Sequence, residues 1–283
     1  MAAPVGPTSQ SSPGAVSRAI PGIKHIIAVG AGKGGVGKTT VSVNLAIALT
    51  RSGSRVGIID ADVYGPNVPM MLGIASQLES DGKKIVPAEK NGIRVVSMGF
   101  LADEKAPLIW RGPMLHGVVR QFFQDVRWGE LDYLVVDMPP GTGDVALSLS
   151  QTVPVSGAVV VTTPQKVSLA DSRRAVGMYE KLNIPTLGII ENMSYYVCPG
   201  CEQEADLFGK GGGVQIAEEL NVPFLGQIPL CTPIRVAGDT GAPIASVEPD
   251  SPGGQAFLQA AERTVDQLSI ASQKPLAPGQ NEH

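Results

Sequence analysis

The sequence has 283 residues, 43 % of them hydrophobic and 17 % charged, which is enough to bury a sizeable core and excludes a disordered chain. A formal net charge of −4 disfavours a globally basic nucleic-acid binder, three cysteines exclude a disulfide framework, and 34 glycines with 23 prolines in no G-X-Y period point to many turns, not collagen. No apolar run approaches the roughly 18 residues of a membrane helix, and no charged-then-apolar leader opens the sequence.

Residues 1–22 are rich in Ser, Pro and Ala with Arg18 as their one basic residue. They read as a disordered tail, with a targeting segment as the alternative. A first strand is predicted at His25–Gly30, followed by a glycine-rich stretch and a helix over Thr39–Arg51 that stops at Gly53. Strands follow at Arg55–Asp60 and Ile93–Met98, then a helix over Pro113–Asp125 and a strand at Tyr133–Asp137. Next come a strand at Gly157–Thr162, a helix over Val167–Leu182 and a strand at Leu187–Glu191. A helix over Gly213–Leu220, a strand at Phe224–Ile228 and a helix over Gln255–Ile270 complete the series. Several strands are apolar on successive positions, the pattern of a strand covered on both faces, which means a parallel sheet. The alternation predicts an α/β fold with a mostly parallel central sheet and helices on both faces. No composition break interrupts residues 23–272, so one domain is expected there, with a second disordered tail over 273–283.

Gly32-Lys33-Gly34-Gly35-Val36-Gly37-Lys38-Thr39 fits G-x-x-x-x-G-K-[ST] between a strand and a helix, the setting of a phosphate-binding loop, and Thr40 follows it. Glycines let successive N–H groups curl round an anion, and the helix N-terminus adds its positive dipole end. Lys38 is placed to reach the terminal phosphates of ATP, and the Thr39 hydroxyl to ligate Mg²⁺. Asp60 and Asp62 end the second strand, where open α/β sheets bind ligands, and their alternation puts both carboxylates on one side. Asp137 closes an apolar run as a Walker B carboxylate does, holding Mg²⁺ directly or through water. Pro139–Asp144 reads as a loop able to sense a γ-phosphate, and Asn192 closes another strand.

Cys198-Pro199-Gly200-Cys201 supplies two thiolates, half of a four-sulfur site for an iron–sulfur cluster or for zinc, with a redox dithiol as the rival reading. The sequence holds no second C-x-x-C, and Cys231 reads as a small core or loop residue. A two-fold dimer would supply the missing pair.

The form KGGVGKTT, with Lys33 as an extra lysine at the start of the loop, resembles the deviant Walker A of the MinD, ParA and nitrogenase iron-protein superfamily. That resemblance implies that Lys33 crosses a dimer interface to the partner's nucleotide and that Asp62 orients or activates the attacking water. It also implies that Asp60 lies near the metal and that Asn192 reads the adenine edge. Further motifs are Asp60–Asn67, Trp110-Arg111-Gly112-Pro113-Met114, Asp137–Asp144, Cys198–Cys201 and Phe208–Gly213. With them, the sequence from about Gly22 to Leu268 is similar to the Mrp/ApbC family of P-loop ATPases, the iron–sulfur cluster carriers. The resemblance implies a homodimer holding a labile [4Fe–4S] cluster between paired cysteines, with ATP binding and slow hydrolysis tied to its delivery. The implied partners are an upstream cluster scaffold and apo iron–sulfur clients, with neither nucleic acid nor membrane. The implied location is cytoplasmic, with the mitochondrial matrix as the alternative. No cysteine precedes Cys198, so the N-terminal cysteine set of eukaryotic cytosolic relatives is missing. Trp110–Met114 reads either as a packed connection or as a client or dimer surface.

Two other functions share the loop. A MinD-like or ParA-like spatial regulator wants a basic amphipathic C-terminal helix or a basic DNA surface. Gln255–Gln273 offers only Arg263, and Arg173-Arg174 with Lys181 is too little for the second. An electron donor like the nitrogenase iron protein takes its cysteines from two separate loops, not from one C-x-x-C.

Overall fold

The computed structural model describes residues 19–63, 65–75, 79–100, 112–141, 143–198, 200–201 and 203–273. Trp110, Arg111, Thr142 and most of both expected tails lie outside them. In chain order the first elements are β1 (Ile23–Gly30), α1 (Lys38–Arg51), β2 (Val56–Asp60), α2 (Val68–Leu72), β3 (Glu79–Ser80), β4 (Ile85–Val86), β5 (Ala88–Lys90) and β6 (Ile93–Ser97). Then follow α3 (Gly112–Gln124), β7 (Leu131–Asp137), α4 (Asp144–Thr152), β8 (Gly157–Thr162), α5 (Lys166–Lys181), β9 (Thr186–Glu191), β10 (Tyr196–Val197) and β11 (Glu204–Ala205). The last are α6 (Gly212–Glu219), β12 (Phe224–Gln227), α7 (Thr232–Asp239), α8 (Ile244–Val247) and α9 (Pro252–Gln273).

Eight strands form one sheet in the order β12-β9-β8-β1-β7-β2-β6-β5. Every pairing in it is parallel except that of β5 with β6. Both faces are covered, which is why the strands read as continuous apolar runs. Ile27 and Val29 of β1 pack with α1 and α9 on one face, among Leu45, Leu49 and Phe257. Ile26 and Ala28 pack on the other face, among Phe122, Phe123, Leu149 and Tyr179 of α3, α4 and α5. Among the described residues no helix is long and apolar enough to cross a membrane.

The register aligns the strand ends that matter. Val29 and Asp60 both lie opposite Asp137, Gly30 lies opposite Val160, and Thr162 lies opposite Glu191. Loops carrying polar residues therefore leave from one rim, the carboxyl end of the parallel strands. At the opposite rim the chain enters β1, where the Gly22 carbonyl accepts the Leu131 N–H. The end of α9 reaches that same rim, since Ala271 and Ser272 share a crevice with Ser156 and Pro185, the residues just before β8 and β9.

Each predicted strand and helix has its counterpart within a few residues, and β8 keeps the predicted bounds. Several elements were not predicted: the short helices α2, α4, α7 and α8, and the strands β3, β4, β5, β10 and β11. All but α4 are eight residues or fewer, too short to show a repeating apolar period.

Phe257 is fully buried where α9 covers the sheet. Phe257→Ala should cost about 3–5 kcal/mol of stability, read from urea unfolding of the nucleotide-free protein.

Candidate functional site

The Gly32–Thr39 loop joins β1 to α1 at the carboxyl rim. Gly37, the residue before α1, has φ +80°, a left-handed conformation that favours glycine. A Cβ there would also overlap the amide nitrogen of Asn192, and one at Gly32 would overlap the backbone carbonyl of Asp171 on α5. The loop is thus pressed into shape by α5 on one side and by the end of β9 on the other. Asn192, itself buried, donates its side-chain N–H to the Val36 carbonyl at 2.8 Å.

Behind the loop sits a compact electrostatic cluster. Asp137 is fully buried at the end of β7. Its Oδ2 lies 2.8 Å from Lys38 Nζ and accepts the Thr39 hydroxyl at 2.8 Å, while its Oδ1 accepts the Ser42 hydroxyl at 2.6 Å. Lys38 is itself only 7 % exposed, so the ion pair is shielded from water. Asp62 Oδ2 is 3.9 Å from the same ammonium, and Asp62 Oδ1 accepts the Gly65 N–H at 3.2 Å. The donor set of Thr39 and Asp137, hard oxygens on one spot already facing a cation, suits a divalent ion such as Mg²⁺.

Asp60 does something different from Asp62. The strand ends at Asp60, and Asp62 lies in the turn that follows it. Asp60 Oδ2 accepts the Val68 N–H at the start of α2 and the Ser97 hydroxyl, and Oδ1 accepts the Asp62 N–H. Burial, then the neighbouring Asp137 charge, push its pKa up to about 7 against these donors.

The loop opens on a cavity of about 600 Å³, the scale of a small-molecule ligand. Lys33, Lys38, Thr39, Thr40, Asp62 and Asn192 all line it. Lys33 stands half-exposed, with no side-chain hydrogen bond or ion pair among the described residues. Pro140 lines the cavity too, and the Gly141 N–H donates to the Ala31 carbonyl, which ties the loop after β7 to the phosphate loop. One further part of the wall, which includes Pro229, Leu230, Cys231 and Arg235, was not predicted. It lies just past β12, at the rim where strand ends bind ligands, and that rule was the available signal. Glu191 was missed as well. This buried carboxylate accepts from Ser194 Oγ, Gln227 Nε2 and the Gly213 N–H, joining β9, β12 and the start of α6. A Cβ at Gly213 would strike Glu191, which accounts for a glycine in the Phe208–Gly213 motif.

Cys198 and Cys201 occupy the β10–β11 hairpin, closed by the Cys198 N–H donating to the Gln203 carbonyl. Both are free thiols, Cys201 exposed and Cys198 partly so. The N–H groups of Gly200 and Cys201, then the Cys201 side chain, hold the Cys198 thiol below its ordinary pKa. Among the described residues no three His, Cys, Asp or Glu side chains converge on a metal position, so Cys231 does not join the pair. Cys231 precedes α7, and burial raises its thiol pKa. The hairpin is not independent of the cavity. The Leu230 N–H donates to the Tyr195 carbonyl at 2.7 Å and the Ser194 N–H to the Ile228 carbonyl at 3.0 Å. The wall residue Leu230 thus shares main-chain bonds with the arm that carries the cysteines.

This sheet, loop and carboxylate arrangement is that of a P-loop NTPase. The family model for NUBPL iron-transfer P-loop NTPases matches residues 22–265, and the chain belongs to that family. An iron–sulfur cluster carrier protein of Synechocystis sp. is 50 % identical over 256 residues, covering 88 % of this chain and 72 % of its own. One from Methanocaldococcus jannaschii is 49 % identical over 250 residues, covering 87 % and 86 %. Among solved structures, a nucleotide-binding protein of Archaeoglobus fulgidus in complex with ADP is 36 % identical, with a TM-score of 0.73, covering 84 % of this chain and 93 % of that one. The cell-division ATPase MinD of Pyrococcus furiosus is 23 % identical with a TM-score of 0.65, a likeness of fold, covering 86 % and 98 %.

The raised pKa of Asp60 has a consequence for stability. The unfolded chain releases this proton near 3.8, the folded one near 7, so the folded state binds the extra proton between those values. Stability contributed here falls as pH rises through that window. Asp60→Asn should flatten this slope, measured as urea midpoints at about pH 5 and about pH 8.

Proposed function

We propose that the protein is an ATP-binding, slowly ATP-hydrolysing carrier that holds a labile [4Fe–4S] cluster between two copies of itself. It receives the cluster from an upstream scaffold and hands it to apo-proteins. The observation that carries this reading is the Cys198–Cys201 hairpin: two accessible thiols, no third ligand beside them among the described residues, and main-chain bonds to the nucleotide cavity wall. A four-iron cluster takes four thiolates, and a two-fold axis turns one pair into two. The N–H groups aimed at Cys198 favour the thiolate, the form that binds iron. Free thiols of this kind suit a reducing compartment, and the cytoplasm is the expected one.

On nucleotide entry Lys38 would move its charge from Asp137 to the phosphates, and Thr39 and Asp137 would hold Mg²⁺, which would supply charge neutralisation on the phosphate chain. Asp62 orients the attacking water. Asp60 shapes the turn that presents Asp62, its oxygens being committed to Val68, Ser97 and the Asp62 N–H. Lys33 reaches the nucleotide of the partner copy. The Asn192 N–H is held by Val36, which leaves its carbonyl oxygen for the adenine edge. ATP favours a closed dimer that changes the spacing of the two hairpins, and hydrolysis reopens it and loosens the cluster.

The rival functions gain little from the surface. Arg173 is paired with Glu219 and Arg174 with Asp171, which offsets the basic grouping a DNA binder would need.

Anaerobic reconstitution with iron and sulfide tests the cargo. The native protein should take up about four iron and four sulfide per dimer and lose them to an apo-acceptor, while Cys198→Ala/Cys201→Ala takes up almost none. Stoichiometric zinc without an iron–sulfur chromophore would sink the carrier reading, and a cluster retained through redox cycles would make the protein an electron donor. Lys33→Ala should cut ATP turnover by about 10-fold or more while leaving ADP affinity within about threefold, since a residue acting on the partner's reaction contributes to the transition state and not to ground-state binding. Full turnover by that variant would remove Lys33 from the reaction.

A further inference from the structure

We infer that Ser42 is a positioning residue of the nucleotide site: its hydroxyl pins one oxygen of Asp137 so that the other faces the divalent cation. The inference rests on the Mg²⁺ reading proposed above. Ser42 is fully buried on α1, one turn beyond Lys38. Its Oγ lies 2.6 Å from Asp137 Oδ1 and 3.0 Å from the Lys38 carbonyl. A hydroxyl has one proton to give, and the carboxylate is both the nearer and the stronger acceptor.

The three donors on Asp137 divide unevenly. Among the described residues, Lys38 Nζ and the Thr39 hydroxyl both fall on Oδ2, and Ser42 alone falls on Oδ1. Lys38 and Thr39 have work elsewhere once nucleotide enters, the ammonium on phosphate and the hydroxyl on the metal. Oδ2 is therefore the oxygen released, while Oδ1 stays with Ser42. Ser42 cannot follow the nucleotide, because it sits inside α1 with Val41, Val43 and Leu45 packed into the core. A carboxylate pinned at one oxygen offers the other in a fixed direction, whereas an unpinned one rotates about its Cβ–Cγ bond. Packing alone does not call for this hydroxyl, since alanine fills nearly the same space.

ADP binding to the full-length protein, measured by calorimetry with and without Mg²⁺, separates this role from a structural one. Groups that orient a metal ligand are worth about 10–100-fold in metal affinity. Ser42→Ala should keep Mg²⁺-free ADP affinity within about twofold and lose about 10-fold or more of the gain that Mg²⁺ gives, and Ser42→Thr should restore it. Equal losses with and without Mg²⁺ would assign Ser42 a structural role, and an unchanged Mg²⁺ gain would remove it from the site. Either result overturns the inference. If Ser42→Thr does not fold, the Ser42→Ala comparison decides alone. A wild-type protein whose ADP affinity ignores Mg²⁺ would bring down the metal reading together with this inference, whereas a failure confined to the variant brings down only Ser42.

Discussion

The rest of the site depends on the buried ion pair between Lys38 and Asp137. A carboxylate out of contact with water is costly unless it is paired and hydrogen-bonded. Asp137 meets that condition with one ammonium and two hydroxyls, all supplied by the first turns of α1. The pair thereby fixes α1 against β7 and fixes the phosphate loop in front of both. The parallel register then sets a second buried carboxylate, Asp60, directly opposite Asp137. One ammonium cannot serve two carboxylates equally. Asp60 is held towards its neutral form and surrounded by three donors, and it orders the start of α2. On the proposed function, phosphate would draw Lys38 away and leave the rim with its carboxylates and without its buried cation, an imbalance that a divalent ion arriving with the nucleotide would offset.

A second constraint runs from the cavity to the cysteines. Asn192 is bonded to the phosphate loop, Ser194 and Tyr195 to the strand and wall that follow β12, and Cys198 lies only three residues beyond Tyr195. The Asn192 link is made by its side chain and the other two by main chain, and Glu191 anchors the base of the segment on three partners. The segment is therefore in bonded contact with the cavity at one end and carries the cysteines at the other.

The fold was legible because the strands are covered on both faces: runs such as Gly157–Thr162 carry apolar residues on successive positions, Ala158 to Val161, on both faces of the sheet. The phosphate loop was legible because its residues are contiguous and their spacing is dictated by the anion. The proximity of Cys198 and Cys201 is local too, so the sequence shows the pair within one short window. The pairing of Lys38 with Asp137 across 99 residues was expressed only as two separate motifs, and nothing local to Asn192 announces a bond to Val36, 156 residues away. Ser42 and Glu191 are polar residues whose partners come from other elements, so no window of sequence contains the reason for them. The division of labour between Asp60, held by Val68 and Ser97, and Asp62, held by Gly65 and facing Lys38, was not legible, because those partners are set by the turn after β2 and by other elements.

The first strand and the last helix of the described residues meet the rim opposite the phosphate loop, at the start of β1 and the end of α9. Sequence appended at either end therefore starts on the far side of the sheet, clear of the phosphate loop and the hairpin. The chain spans 72 % of its Synechocystis relative, so that relative carries additional polypeptide beyond the aligned region. Polypeptide joined at either point sets out from the rim that the cavity and the cysteines do not use.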